Sequence, residues 1–240
     1  MKNIQEEVLP RGKSTQEVVK IGNTVHRTMN PNSPFIHRLL VLLEKNGYKY
    51  SPRFLGIDEK GREILSYIEG DIVRGDMEWS DEQLIKVVRM IKGFHEITKG
   101  TPLAKGKEVV CHNDLAPWNL ILKDSTPISF IDFDDSSPGK CIDDFAYFLW
   151  TFLNLGKDID VNLQASKIKL LNIEYGKFDS KELIKAILNQ QHRILNKRIS
   201  LSINAKTLEE REFSKAKIKD IEAEIVWVKK NCMRIIDIHC

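Results

Sequence analysis

The chain has 240 residues, with 37 Lys+Arg against 34 Asp+Glu and a formal net charge of +3. At 42% hydrophobic and 30% charged residues, it is too apolar for a disordered tail and long enough for one large domain or two lobes. So small a net charge gives no basic footprint for nucleic acid. The charge is unevenly spread: residues 101–160 carry five basic and ten acidic side chains, whereas 161–240 carry sixteen and ten. The basic excess at the end follows helical surfaces and reads as a solvated face. Met1 to Lys13 is polar and lacks the apolar core of a secretory signal, which predicts a cytoplasmic protein. The longest apolar run, Phe145 to Leu153, is about half the ~20 residues of a membrane span. Cys111, Cys141, Cys232 and Cys240 are scattered without C-x-x-C spacing and read as thiols.

In chain order, Leu9 to Ser14 is a turn leading in from a frayed first strand. Glu17–Ile21 and Thr24–Met29 are β-branched runs joined by Gly22-Asn23, a two-residue hairpin signal. After Pro31 and Pro34, the stretch Phe35–Lys45 puts Ile36, Leu39, Leu40 and Leu43 at helical spacing and stops at Gly47. Arg53–Ile57 and Glu63–Tyr67 are two more strands around a turn at Asp58 to Gly61. Beyond Gly70 the period changes. Ser80 and Gln83 form a capping box ahead of Leu84, Val87, Val88, Ile91 and Phe94 on one helical stripe. Glu108–Cys111, Leu120–Leu122 and Ile128–Ile131 are brief apolar strands, and Asp143–Leu155 is an aromatic-rich buried helix. Three helices follow, at 160–175, at 180–199 behind Asp179/Glu182, and at 207–236 behind a Thr207/Glu210 box.

The chemistry sits in the loops after those central strands. His112-Asn113-Asp114-Leu115-Ala116-Pro117-Trp118-Asn119 is followed by Ile131-Asp132-Phe133-Asp134-Asp135. Oxygen donors on two strand-ending loops suit magnesium-dependent phosphoryl transfer, in which Mg²⁺ takes one or two protein oxygens and leaves its remaining positions to phosphate and water. Asp114 would receive the acceptor's hydroxyl proton, and Asn119 and Asp132 would hold the metal. Taken singly, each of these is an ordinary turn residue; in this order they favour the functional reading. Asp134 and Asp135 could supply an additional metal contact or contact a cationic substrate, or be loop acids. Cys111 and His112 are strand neighbours pointing to opposite faces, so they make a poor nucleophilic dyad.

The His-x-Asp-x-x-x-x-Asn segment followed by Ile-Asp-Phe-Asp resembles the catalytic core of the aminoglycoside phosphotransferase and choline kinase superfamily. The likeness is specific over residues 110–146. It implies an α+β, two-lobed protein-kinase-like fold, with residues 1–69 as a small antiparallel-sheet N-lobe and 70–240 as a mostly helical C-lobe. It further implies that Ser66, Tyr67 and Ile68 read the nucleotide base through their backbone. His112 supports the catalytic loop, and Asp144, in Asp143-Asp144-Phe145-Ala146, is a structural acceptor. Gly12-Lys13-Ser14 resembles a minimal phosphate-covering turn.

One departure concerns the phosphate clamp. The superfamily usually pairs a third-strand Lys with a helix Glu. Here the strand offers Arg27, equally readable as a surface residue, and the helix position falls near Ile36-His37. An ion pair orienting the clamp is therefore not expected. The implied activity moves the γ-phosphoryl group of ATP or GTP to a hydroxyl of a small molecule, with Mg²⁺ as cofactor. The acidic stretch would suit an amine-bearing acceptor, and neither nucleic acid nor membrane is a partner. The lost Lys/Glu pair leaves open a nucleotide-binding, non-catalytic pseudokinase. A metal-dependent hydrolase using His112, Asp114, Asp132 and Asp134 is a third reading.

Overall fold

The structure is a computed structural model that describes residues 6–9, 18–73, 75, 77–157 and 159–237. Gly12-Lys13-Ser14 and Cys240 lie outside the described residues. The first sheet is antiparallel, built from β1 (Glu6–Val8), β2 (Val18–Ile21), β3 (Thr24–Arg27), β4 (Phe54–Ile57) and β5 (Glu63–Ser66), in the order β1-β2-β3-β5-β4. The β2–β3 hairpin turns at Gly22, whose φ of +59° suits a residue without Cβ. β3 is two residues shorter than expected. After Arg27 the chain enters a turn in which Asn30 O accepts from Ser33 N–H and Asn30 Oδ1 from Asn32 N–H.

That turn feeds helix α1 (Ser33–Lys45), which begins two residues before the expected start because Pro34 is tolerated in a first helical turn. Its apolar face buries Phe35, Ile36, Leu39, Leu40 and Leu43. The end is a Schellman-type cap: Gly47 at φ +73° lets Tyr48 N–H reach back to Leu43 O. The turn between β4 and β5 is organised by Asp58, whose carboxylate accepts from the amides of Lys60 and Arg62, from Arg62 Nε and from His26 Nδ1. Burial opposes the charge on Asp58, but these bonds outweigh it and hold the carboxyl well below its usual range.

Two small sheets follow. β6 (Asp71–Ile72), β8 (Leu120–Lys123) and β9 (Thr126–Phe130) form one, and β7 (Val109–Cys111) pairs antiparallel with β10 (Ser137–Gly139) in the other. β6 and β10 are too short to show a period and were not expected. β8 and β9 turn through Asp124 and Ser125, both left-handed, as a two-residue hairpin loop requires. Between β6 and β7 lies α2 (Asp81–Thr98). Its predicted box is present, with Ser80 N–H on Gln83 Oε1 and Gln83 N–H on Ser80 Oγ.

The chain divides into two compact units, Met1–Glu78 with Met90–Lys140, and Trp79–Arg89 with Cys141–Cys240. The second contains α3 (Cys141–Phe152), α4 (Val161–Tyr175), α5 (Ser180–Ile203) and α6 (Leu208–Asp237). α3 begins two residues earlier and stops three earlier than expected. Beyond it, Asn154 and Gly156 adopt positive φ, and Leu155 N–H turns back onto Trp150 O. Phe145, Phe148 and Phe152 pack along its inner face, and Tyr175 and Phe178 stack beside Phe145. Asp160 and Asp179 cap α4 and α5, each accepting two amides. Glu210 and Thr207 exchange the bonds of the expected box on α6. The described residues thus show an antiparallel-sheet N-terminal region and a mostly helical C-terminal part, as the fold class predicted. None of the described helices is long and apolar enough to cross a membrane. Among the described residues, Cys111, Cys141 and Cys232 form no disulfide with one another.

Candidate active site

The two motif loops lie in the first unit and are laced together by polar contacts. β7 ends at Cys111, and His112 follows, fully buried. Asp114 N–H donates to His112 Nδ1 at 3.3 Å, so Nε2 carries the proton and donates to Ile131 O at 3.1 Å. The imidazole therefore spans both loops and is packed 4.4 Å from the Phe133 ring. With both nitrogens engaged, it offers no lone pair to a metal, which counts against the hydrolase constellation.

A 3₁₀ turn at Pro117–Asn119 carries Asn119 back toward Asp114. Its amide donates to Asp114 Oδ2 at 2.7 Å and to Asp114 O at 3.0 Å. The Asn119 amide oxygen is thereby left to accept or ligate, and the Asp114 carboxylate is held in one orientation. Ile131 N–H donates to Asn119 O, and Asn113 Nδ2 bridges to Asp135 O and Ser137 Oγ. Asp132 follows in the left-handed region at φ +62°, an uncommon backbone for a residue with Cβ. Such strain is retained where the surroundings hold a functional geometry.

Arg27 crosses from β3 to the second loop. Its Nη2 and Nη1 take the Asp134 carboxylate at 2.5 and 3.2 Å, and Nη1 stands 3.9 Å from Asp132 Oδ1. Its Nε donates to Glu63 Oε1 at 2.6 Å, from the residue directly opposite on β5. The other Glu63 oxygen lies 2.6 Å from His37 Nε2 on α1, and the His37 ring stacks on Phe54 at 3.8 Å. The expectation that Arg27 lacks an orienting ion pair is thus overturned. The partner comes from the neighbouring strand rather than the helix, and the helix contributes His37 behind it. Neither Glu63 nor His37 was assigned a role from the sequence. Glu63 reaches the site through its alignment with Arg27 across non-consecutive strands, and His37 through its contact with Glu63 from α1.

Arg27 is buried, which by itself would lower its pKa, but Asp134, Glu63 and Asp132 outweigh that and raise it. Asp132 is pushed up to about 6, first by burial, then by the charge of Asp134, with Asp114 and Asp135 adding and Arg27 opposing. This set of oxygens fits a divalent cation on chemical grounds. It is all-oxygen, includes one neutral amide, and holds mutually repelling carboxylates that a cation would relieve.

The remaining expected residues are placed as follows. Ser66 and Tyr67 border a shallow depression with Lys20, Asn23, Arg53 and Glu69, and Lys20 Nζ sits 4.2 Å over the Tyr67 ring. The Ser66 and Tyr67 amides donate to Arg53 O and Asn23 O. Of the Ser66, Tyr67 and Ile68 amides, only that of Ile68 makes no bond to a described residue. Asp134 is held by Arg27, and the Asp135 side chain is exposed. Asp144 is fully buried in the first turn of α3, in the other unit.

Residues 99–170 match the sequence model of the phosphotransferase enzyme family. A curated relative, the trifolitoxin immunity protein of Rhizobium leguminosarum bv. trifolii, is 28% identical, over 72% of this chain and 75% of its own. Among solved structures, the microcompartment-associated aminopropanol kinase superposes with a TM-score of 0.66 at 13% identity, covering 98% of this chain and 94% of its own. The GDP and kanamycin complex of an APH(2") aminoglycoside phosphotransferase superposes at 0.64 and 14% identity, covering 91% and 93%. The resemblance read from residues 110–146 therefore holds: this chain has the protein-kinase-like fold of the aminoglycoside phosphotransferase superfamily, with the phosphotransferase family's signature in residues 99–170.

Proposed function

We propose that the protein is a small-molecule phosphotransferase that moves the γ-phosphoryl group of ATP or GTP to a hydroxyl acceptor. Residues 1–69 form its nucleotide-covering lobe and 70–240 its catalytic lobe. The observation that carries the reading is the Asn119–Asp114 contact at 2.7 Å beside the Asp132 loop, with a cationic fork from Arg27 turned toward that loop. Asp114, oriented by Asn119, accepts the proton of the acceptor hydroxyl as it attacks phosphorus. Mg²⁺, held by Asn119 and Asp132, would neutralise charge on the phosphates. Arg27 offers two parallel N–H groups, the geometry that a phosphate takes bidentately. His112 keeps the two loops in register, and of residues 66–68 the Ile68 amide, unbonded to any described residue, is the one left to meet the base.

The Arg27–Glu63 ion pair removes the main reason for reading the protein as a non-catalytic pseudokinase. The nucleotide bound in the superposed phosphotransferase supports a nucleoside phosphate as co-substrate, and the amine-bearing ligands named for the two solved neighbours support an amine-bearing acceptor. The relative named for toxin immunity adds growth-inhibitory compounds to the acceptors worth screening. The test is transfer from γ-labelled ATP and GTP to amino sugars, amino alcohols, nucleosides and sugars. In the unaltered protein a labelled product forms, and Asp114→Ala lowers its turnover by about 10²–10⁴. Full turnover in Asp114→Ala, or nucleotide binding without any transfer or hydrolysis, would overturn the reading.

A further inference from the structure

Glu63 is 1% exposed and its two oxygens are divided between two elements. Oε1 takes Arg27 Nε at 2.6 Å, and Oε2 takes His37 Nε2 at 2.6 Å. A buried carboxylate is costly unless paired, and apolar residues of similar volume often serve stability as well or better. Its retention at this point therefore asks for a role in orientation. The geometry supplies one. A guanidinium has one edge formed by Nε and one nitrogen, and a second formed by Nη1 and Nη2. With Nε engaged by Glu63, the Nη1–Nη2 fork is turned away from the strand and onto the second motif loop, where it meets Asp134 and approaches Asp132. His37 in turn fixes the rotation of the Glu63 carboxylate, and its own ring is held flat against Phe54 at an interplanar angle of 13°. The chain of contacts runs from α1 through β5 to Arg27 on β3 without leaving the first unit.

We infer that Glu63 and His37 are positioning residues for nucleotide binding: they aim the Arg27 fork at the phosphates, the strand carboxylate and the helix imidazole together replacing a helix glutamate. Asp134 holds the fork until a phosphate takes it, because a carboxylate and a phosphate present the same pair of acceptor oxygens. The inference rests on the phosphotransferase reading.

The test measures Mg-ATP and Mg-GTP binding to the full chain by calorimetry, in the unaltered protein and in Glu63→Gln, Arg27→Gln and the double variant. Glu63→Gln weakens nucleotide binding by about tenfold or more, the value of a lost charge-assisted hydrogen bond. Adding it to Arg27→Gln weakens binding no further, since Glu63 acts through Arg27. His37→Ala, which leaves the Arg27–Glu63 pair in place and guards against a misfolded Glu63 variant, weakens binding severalfold. His37→Gln, which can still donate to Glu63, restores it. In steady-state kinetics the nucleotide KM rises while the acceptor KM does not. Nucleotide binding unchanged in Glu63→Gln and His37→Ala, or fully additive losses in the double variant, would overturn the positioning role alone. Absence of nucleotide binding in the unaltered protein would overturn the underlying reading as well.

Discussion

Asp132 offers a direct check on the electrostatics of the site. Its carboxyl is raised from 3.8 to about 6, through burial first and then through the neighbouring charge of Asp134, while Arg27 pulls the other way. At pH 7 about nine-tenths of the group is ionised, and at pH 5 about one-tenth. A cation needs the ionised form, so under the proposed function Mg²⁺ affinity falls by about tenfold between pH 7 and pH 5. The linkage to stability has the opposite sense. Between about pH 4 and pH 6 the folded chain holds this proton more tightly than the unfolded chain, so the stability this group contributes is lost as pH rises through that window. Asp134→Asn lowers the Asp132 pKa, because it removes a repelling charge and frees Arg27 to act on Asp132. Arg27→Gln raises it. With 37% of the Asp132 side chain open to solvent, screening trims each variant's effect to less than the whole shift. The assay is a ¹³C NMR titration of the Asp carboxyls, with Asp132 assigned by its loss in Asp132→Asn. A carboxyl titrating at its ordinary value, or one indifferent to Asp134→Asn, would refute the crowding argument.

Two further predictions concern packing. Phe133 is 3% exposed, edge-on to Phe94 at 5.9 Å and against His112 at 4.4 Å; Phe133→Ala is expected to cost about 3–5 kcal/mol in urea denaturation, and a loss below 1 kcal/mol would show that the ring does not support the Asp132 loop. Gly156 has φ +105°, and a Cβ there would stand 2.6 Å from Glu224 Cα. Gly156→Ala should therefore destabilise by about 1–3 kcal/mol or more, seen as a lower Tm by circular dichroism, and an unchanged Tm would contradict the close approach of that turn to α6.

Much of the local structure was legible because its causes are local. The Gly22-Asn23 hairpin, the Ser80/Gln83 and Thr207/Glu210 boxes and the apolar stripe of α2 each involve groups within a turn or two of one another. Helix ends were less legible. α3 stops at Phe152, and Asn154 and Gly156 turn the chain beyond it, but the apolar run continues through Leu153, so the pattern outlasts the helix. β6 and β10 escaped notice because two or three residues define no period.

The motif loops announced Asp114, Asn119 and Asp132 through order and spacing, since one short segment carries both the proposed proton acceptor and the neutral oxygen. The proposed phosphate clamp was a different matter. Arg27 could be named but not partnered, because its partner depends on which strand lies beside β3 and in what register. That neighbour is β5, with β4 displaced to the edge, and the register sets Arg27 opposite Glu63. Strand order and register are chosen by burial of the sheet's inner face against α1, a condition on the whole sheet. By itself the sequence determined the elements, their caps and the chemistry-bearing loops, all of which depend on near neighbours in the chain. Only the tertiary structure decided that Glu63 and His37, 36 and 10 residues from Arg27, stand behind its guanidinium. Contacts between separate strands and a helix exist only once the sheet has been assembled.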